Sequence, residues 1–416
     1  MPSGLHPPVS ALVRRLVAAG LGCDSTGPED AADAPPPRLL TAAEDQVVDA
    51  DNAFGLTLLR STVDTEGASK NVFLSPISVS MALGMTLNGA RGETRSAMEA
   101  ALEKQDLSPT DINDAYRGLI DLLEGLDPNV EVALANSIWY REGLPVKQAF
   151  IDTNRAHFDA EVEALDFADP SASDRINGWV NDETRGNIEQ IVPGRIPSDL
   201  VMYLINATYF NGPWRDQFDP SNTAPEPFRR ADGSTVSVPM MEKTENVVHP
   251  TYQAKQFRAV DIAYGDSLYS MTILLPHKEA SVQELIDSLN TETWTQVTEG
   301  LAPQSLSRLQ MPKFTLRYEK TLNDVLTDLG MGVAFTKRAN FRDIADTSLA
   351  IDKVKHKTFL QVDEEGTEAS AATSVGIRVT STPPTFIVDR PFVVAIREHH
   401  SGTILFLGTV MDPTAG

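Results

Sequence analysis

Between Lys313 and Thr382 the chain has no proline, although 27 prolines in 416 residues average one in about 15. Proline cannot donate to a sheet ladder, so in a long stretch without it every residue can join a central strand. The end of that stretch, residues 361–382, is followed at once by Pro383 and Pro384. As a loop it is too long and too poor in turn residues, since loops beyond about 12–15 residues are uncommon and usually functional. As a strand it alternates. Thr367, Ala369, Ala371, Thr373, Val375, Ile377 and Val379 form one small or apolar face, and Glu368, Ser370, Ser374 and Arg378 lie on the other. The first face is narrow and uncharged, so it can enter a sheet between existing strands without overpacking. From Thr367 to Thr380 such a strand spans roughly 45 Å at ~3.3 Å per residue, about the height of a domain. The segment reads as bistable.

The rest of the chain supplies a body into which such a strand can go. Thr41-Ala-Ala-Glu44 is a capping box opening a helix with Val47, Phe54, Leu58 and Leu59. Ser75-Pro76 starts a second helix through Val79, Ala82, Leu83, Thr86 and Leu87, apolar on most sides and therefore buried. Helical periods recur at Ile176, Trp179 and Val180, and at Leu322, Val325, Leu326 and Leu329, the last closed by Gly330. Residues 130–140, 160–167, 200–210, 267–275, 309–318, 386–388, 392–396 and 404–410 read as strands, several of them continuous apolar runs. Helices lead and strands follow without βαβ alternation, which predicts an α+β fold. No internal repeat or linker divides residues 41–416, so they read as one domain.

The formal charge of −23 repels polyanions and argues against a nucleic-acid partner. A single thiol, Cys23, excludes an internal disulfide and a cysteine-built metal site. Residues 1–40 are proline-rich and without period, and stand apart from the fold. Within them Arg14-Arg15 precede a short apolar run, Leu16 to Gly22, ending at Cys23. That order resembles a bacterial lipoprotein signal, in which Cys23 would be lipidated and the following residues would form a tether to a membrane surface. The alternative is a disordered tail with an incidental cysteine. The first reading implies an extracellular or cell-envelope location.

Several motifs stand in a recognisable order: Asn71-Val-Phe-Leu-Ser-Pro-Ile-Ser78, Leu204-Ile-Asn-Ala-Thr-Tyr-Phe-Asn-Gly-Pro-Trp214, Glu364-Glu-Gly-Thr-Glu-Ala-Ser-Ala-Ala372, and Asp389-Arg-Pro-Phe392 leading to Phe406-Leu-Gly-Thr-Val410. From about residue 41 to Pro413 the chain resembles the serpins, suicide inhibitors of proteases, in their prokaryotic-type inhibitory form. The resemblance implies three β-sheets, eight or nine helices, and an exposed reactive-centre loop at about 364–384 that inserts into the large sheet after cleavage. It makes Glu364, Glu365, Gly366, Thr367, Glu368, Ala369, Ser370, Ala371 and Ala372 the hinge, with the small residues of inhibitory members. Counting from Glu364 sets the scissile bond between Thr380 and Ser381. A threonine there implies an elastase- or subtilisin-like serine protease as partner, and Arg378 two residues earlier keeps a trypsin-like cut as the second reading; a cysteine protease is a further one. By the same resemblance Ser75, Ser78, Asn206 and His356 form a polar cluster beneath the strands that must part, the shutter. Trp214, Lys313 and Glu364 form the breach, where the loop enters the sheet, with Lys313 and Glu364 as an ion pair.

The resemblance implies a monomer with no cofactor and no catalytic residue of its own, since the chemistry belongs to the target. An enzyme reading finds no G-x-S-x-G elbow, H-E-x-x-H helix or P-loop, and Gly330-Met-Gly332 follows a helix where a dinucleotide fingerprint follows a strand. The pair His399-His400 reads as a solvated turn and not as a metal site. The run Asp363-Glu364-Glu365 reads as a solvated strand end. A non-inhibitory serpin, a chaperone or carrier, is the remaining alternative.

Overall fold

Thr41 caps the first helix as its sequence demands. Its hydroxyl accepts from Glu44 N–H at 3.2 Å, while the Glu44 carboxylate accepts from Thr41 N–H at 2.7 Å. That helix, α1 (Ala42–Glu66), opens a computed structural model that describes residues 37–67, 69–244, 247–367 and 383–415. After it come β1 (Val72–Leu74), α2 (Pro76–Leu87), α3 (Gly92–Ala101), α4 (Pro109–Leu123), β2 (Glu131–Arg141), α5 (Gln148–Phe158), β3 (Glu161–Leu165) and α6 (Ser171–Glu183). Strands then dominate: β4 (Met202–Pro213), β5 (Ala224–Arg229), β6 (Thr235–Lys243), β7 (Val247–Gln253), β8 (Phe257–Tyr264) and β9 (Tyr269–Pro276). Two helices, α7 (Val282–Ser288) and α8 (Thr291–Gly300), precede β10 (Ala302–Leu306), β11 (Arg308–Pro312) and β12 (Phe314–Thr321). The chain finishes with α9 (Asn323–Asp328), β13 (Lys355–Val362), β14 (Gly366–Thr367), β15 (Thr385–Ile387), β16 (Phe392–Glu398) and β17 (Ile404–Val410). The architecture is α+β, as the order of elements in the sequence predicts.

The expected strand over 309–318 is two strands in two sheets. β11 pairs with β6 and β15, whereas β12 pairs with β13. Pro312 has no N–H to donate, Lys313 N–H makes a last bond to β6 at Pro239 O, 2.8 Å away, and beyond it the chain crosses between sheets. Strands β5, β6, β7 and β10 carry no clear period, because Pro225, Pro227, Pro239, Pro250 and Pro303 interrupt it. β5 is an edge strand, where proline is tolerated.

A seven-stranded sheet runs β1-β17-β16-β9-β8-β7-β10 and a four-stranded one β15-β11-β6-β5. The third layer is interrupted. β14-β4-β2-β3 form one piece and β12-β13 the other, and among the described residues β4 and β13 share no ladder. One strand laid between them would join the two pieces into a third sheet. Beneath this break lies α2, almost wholly buried, with Ile77, Val79, Met81, Leu83, Met85 and Leu87 in the main core. On the opposite face α6 packs Ile176, Trp179 and Val180 against Trp139, Ile205 and Ala207 of β2 and β4, a second and separate apolar cluster. Among the described residues no helix is long and apolar enough to cross a membrane.

Candidate functional site

β14 marks where the break begins to close. It lies antiparallel to β4, Gly366 opposite Pro213 and Thr367 opposite Gly212. Gly366 has φ +137°, and a Cβ there would stand 2.4 Å from Gly212 O, so only glycine brings the backbones this close. Around it the three residues of the expected breach do meet. Lys313 Nζ donates to Glu364 Oε2 at 2.6 Å, and the Trp214 indole N–H donates to Asp363 O at 2.8 Å. Trp214 N–H and Phe218 N–H donate to the carbonyls of Glu365 and Glu364, each at 2.9 Å. Sequence reasoning missed two neighbours. Thr223 donates to Glu364 Oε1 at 2.7 Å, Tyr264 stacks on Trp214 with centroids 4.4 Å apart, and its hydroxyl lies 3.3 Å from that of Thr367. Burial pushes the Glu364 carboxyl up, but the bonds from Lys313 and Thr223 overcome it and hold the group below its ordinary range. Glu364 is therefore a buried bonded group, unlike the solvated strand end expected of the run, whereas Asp363 is half-buried and Glu365 exposed.

The four expected shutter residues lie around the other end of the break, but not as one hydrogen-bonded cluster. Ser75 caps α2, accepting Ser78 N–H at 3.4 Å, and its own N–H donates to His356 Nε2 at 3.0 Å. Asn206 instead donates to Asn136 Oδ1 at 2.9 Å, its partner in the β2–β4 register, and accepts from Thr208 at 2.8 Å. No local pattern singles out Asn136, which sits in an apolar strand. Ser78, Asn206 and His356 all line a cavity of about 340 Å3 between β4, β13 and α2. A smaller one of about 20 Å3, lined by Asn211 of β4, Gln361 of β13 and Thr367, continues the break toward β14. Burial alone pushes His356 down to about 4, so it is neutral.

Cys23, the hinge residues Glu368, Ala369, Ser370, Ala371 and Ala372, Arg378 and the Thr380–Ser381 bond lie outside the described residues. His399 and His400 lie at a strand turn as expected, His399 exposed and His400 half-buried, and each has a ring nitrogen engaged. His399 Nε2 lies 2.7 Å from Ser270 Oγ and 3.2 Å from Asp261 Oδ2, and His400 Nε2 lies 2.7 Å from Arg38 O. The first set has the residue types of a hydrolase triad but not its geometry: one nitrogen faces both partners, and Ser270 is fully buried. No group of three or more His, Cys, Asp or Glu among the described residues could hold a metal.

Three comparisons agree on what this arrangement resembles. The family description Serpin (serine protease inhibitor) matches residues 49–413. Iripin-2 of Ixodes ricinus is 32% identical over 374 residues, covering 88% of this chain and 94% of its own. The native thermophilic serpin tengpin superposes with a TM-score of 0.79 at 29% identity, over 91% of this chain and 96% of its own. Human thyroxine-binding globulin complexed with thyroxine superposes at 0.81 with 25% identity, over 90% and 100% of the two chains.

Proposed function

The chain belongs to the serpin family, and we propose that it inhibits serine proteases as a suicide substrate. The observation that carries this reading is the break between β4 and β13, which share no ladder among the described residues, with β14 already laid at its mouth. Unpaired ladder groups on two facing strand edges are costly to leave, and a strand between them satisfies both. In this reading the target's serine attacks the carbonyl of Thr380, and the cut frees the segment that begins at Thr367. Its insertion carries the acyl-enzyme tens of Å and distorts the protease before water can release it.

Register supports the fit. Each residue beyond Thr367 steps one back along β4, so Thr373 falls opposite Asn206. On the other flank Asp363 N–H donates to Gly366 O at 3.1 Å, which starts a hairpin with β13, and the same stepping brings Thr373 beside His356. Both counts put one small polar residue at the Ser78, Asn206 and His356 end of the cavity. The alternating small face from Thr367 to Val379 then lies over α2.

For the target, the Thr380–Ser381 bond favours an elastase- or subtilisin-like enzyme, and Arg378 a trypsin-like one. The experiment is incubation with elastase, subtilisin and trypsin, denaturing gels for a covalent adduct, and sequencing of the new amino terminus. Cleavage with no adduct and no gain in heat stability would instead mark a non-inhibitory member, a carrier such as the thyroxine-binding relative. We extend the proposal to a secreted or envelope-bound monomer. Metabolic labelling with a radioactive fatty acid, lost on Cys23→Ala, would establish the lipid anchor.

A further inference from the structure

Beyond the loop the chain passes directly into β15, three residues at the edge of its sheet. β15 pairs in parallel with β11, and Pro384 O accepts from Ser307 N–H at 2.9 Å. A further hold comes from another sheet. Nη1 of Arg258, on β8, donates to Thr385 O at 2.6 Å, and its guanidinium carbon lies 4.4 Å from the centroid of the Phe386 ring. Arg258 Nε is buried with no partner, and among the described residues the side chain forms no ion pair. The charged groups facing it are Arg390, which repels it, and Asp389, which Arg390 already engages at 2.5 Å. Arg258 is half-buried, and the part of its guanidinium withdrawn from water without a carboxylate recovers its hydration only from what it touches. Here that is the Thr385 carbonyl and the Phe386 ring, both in β15, so displacing β15 strips Arg258 of both contacts.

Chain length makes β15 decisive for the uncut protein. A strand from Thr367 to Thr380 runs roughly 45 Å away from the breach. Ser381 to Pro384 reach at most about 14 Å back. An uncut loop therefore cannot fill the break while β15 stays in place; β15 must first peel from β11. We infer that Arg258 is a positioning residue that clamps β15 and thereby sets how long the uncut protein stays able to trap a protease. This rests on the insertion reading above, but the clamp itself can be measured without any protease.

The test uses Arg258→Leu and Phe386→Leu in the full chain, with amide hydrogen exchange on the uncut protein. Exchange across residues 385–388 should quicken by about tenfold in Arg258→Leu, the loss of roughly one charge-assisted hydrogen bond, and by about two- to fivefold in Phe386→Leu, which loses the ring contact alone, while β16 amides hold their rates. Stored uncut, both variants should lose adduct-forming capacity several-fold faster than the parent, although the fraction trapped at time zero is the same. Unchanged exchange in both variants overturns the inference. If the parent traps no protease and β15 exchange still responds, the clamp stands and the inhibitory reading fails instead.

Discussion

Ser75 donates its amide to Nε2 of His356 across 3.0 Å, and that bond ties the first turn of α2 to β13 at the floor of the break. An Nε2 that accepts belongs to a neutral ring with its proton on Nδ1. Burial pushes His356 down to about 4, whereas histidine in an unfolded chain titrates near 6.5. As pH falls from 6.5 toward 4 the unfolded state takes the proton first. The neutral ring's contribution, fully present above 6.5, is lost across that window, about 3 kcal/mol. His249, also pushed down to about 4 by burial and then by Lys243, adds to the same fall. Urea unfolding at a series of pH values should show the decline, and His356→Gln should remove part of it. An unaltered slope in that variant would assign the acid sensitivity elsewhere.

Thr373 is the loop residue that both registers bring to Asn206 and His356. Thr373→Arg would drive a bulky charge among the neutral side chains of Ser78, Asn206 and His356, so insertion should stall. The expected result is cleavage at an ordinary rate with little or no adduct, and a cut form that melts near the uncut one. Thr373→Ser should trap protease as the parent does. A Thr373→Arg protein that still gives full adduct would put another residue at that position.

Lys104 lies with no exposure between Asp51 of α1, Ser80 of α2 and Tyr116 of α4. Its ammonium donates to Asp51 Oδ1, to Ser80 Oγ at 3.0 Å and to Leu102 O at 3.3 Å. Lys104→Met leaves the Asp51 carboxylate buried without its cation, a loss of about 3–5 kcal/mol. Lys104→Met with Asp51→Asn should recover much of that loss, because the stranded charge is gone. Equal loss in single and double variants, read by urea unfolding, would contradict a buried ion pair.

Gly366→Ala meets both a φ of +137° and the 2.4 Å approach to Gly212 O. β14 should detach from β4, raising exchange at residues 364–367 while the Trp214–Tyr264 stack stays. The variant should also be cut at a larger share of encounters without trapping. Parental exchange rates there would mean that the hinge tolerates a side chain.

These sites differ in how far the sequence shows them. The capped ends at Thr41 and Ser75 and the left-handed Gly330 are readable because each depends on neighbours three or four residues away. Family resemblance supplied Trp214, Lys313 and Glu364. Thr223 on Glu364, Asn136 on Asn206 and Arg258 on Thr385 join positions 70 to 141 residues apart and leave no local period. Lys104, followed by Gln105 and Asp106, looks like part of a solvated turn until the packing of three helices closes over it. The partners of His399 are hidden in the same way, because Asp261 and Ser270 reach it only across sheet neighbours.

The central claim is that the break between β4 and β13 waits for the loop, and thermal melting before and after a single cut inside residues 367–382 tests it most directly. The account predicts that the nicked protein melts far above the intact one, with residues from Thr367 onward protected from exchange. A melting temperature that does not move, with the loop still open to further proteolysis, would contradict it.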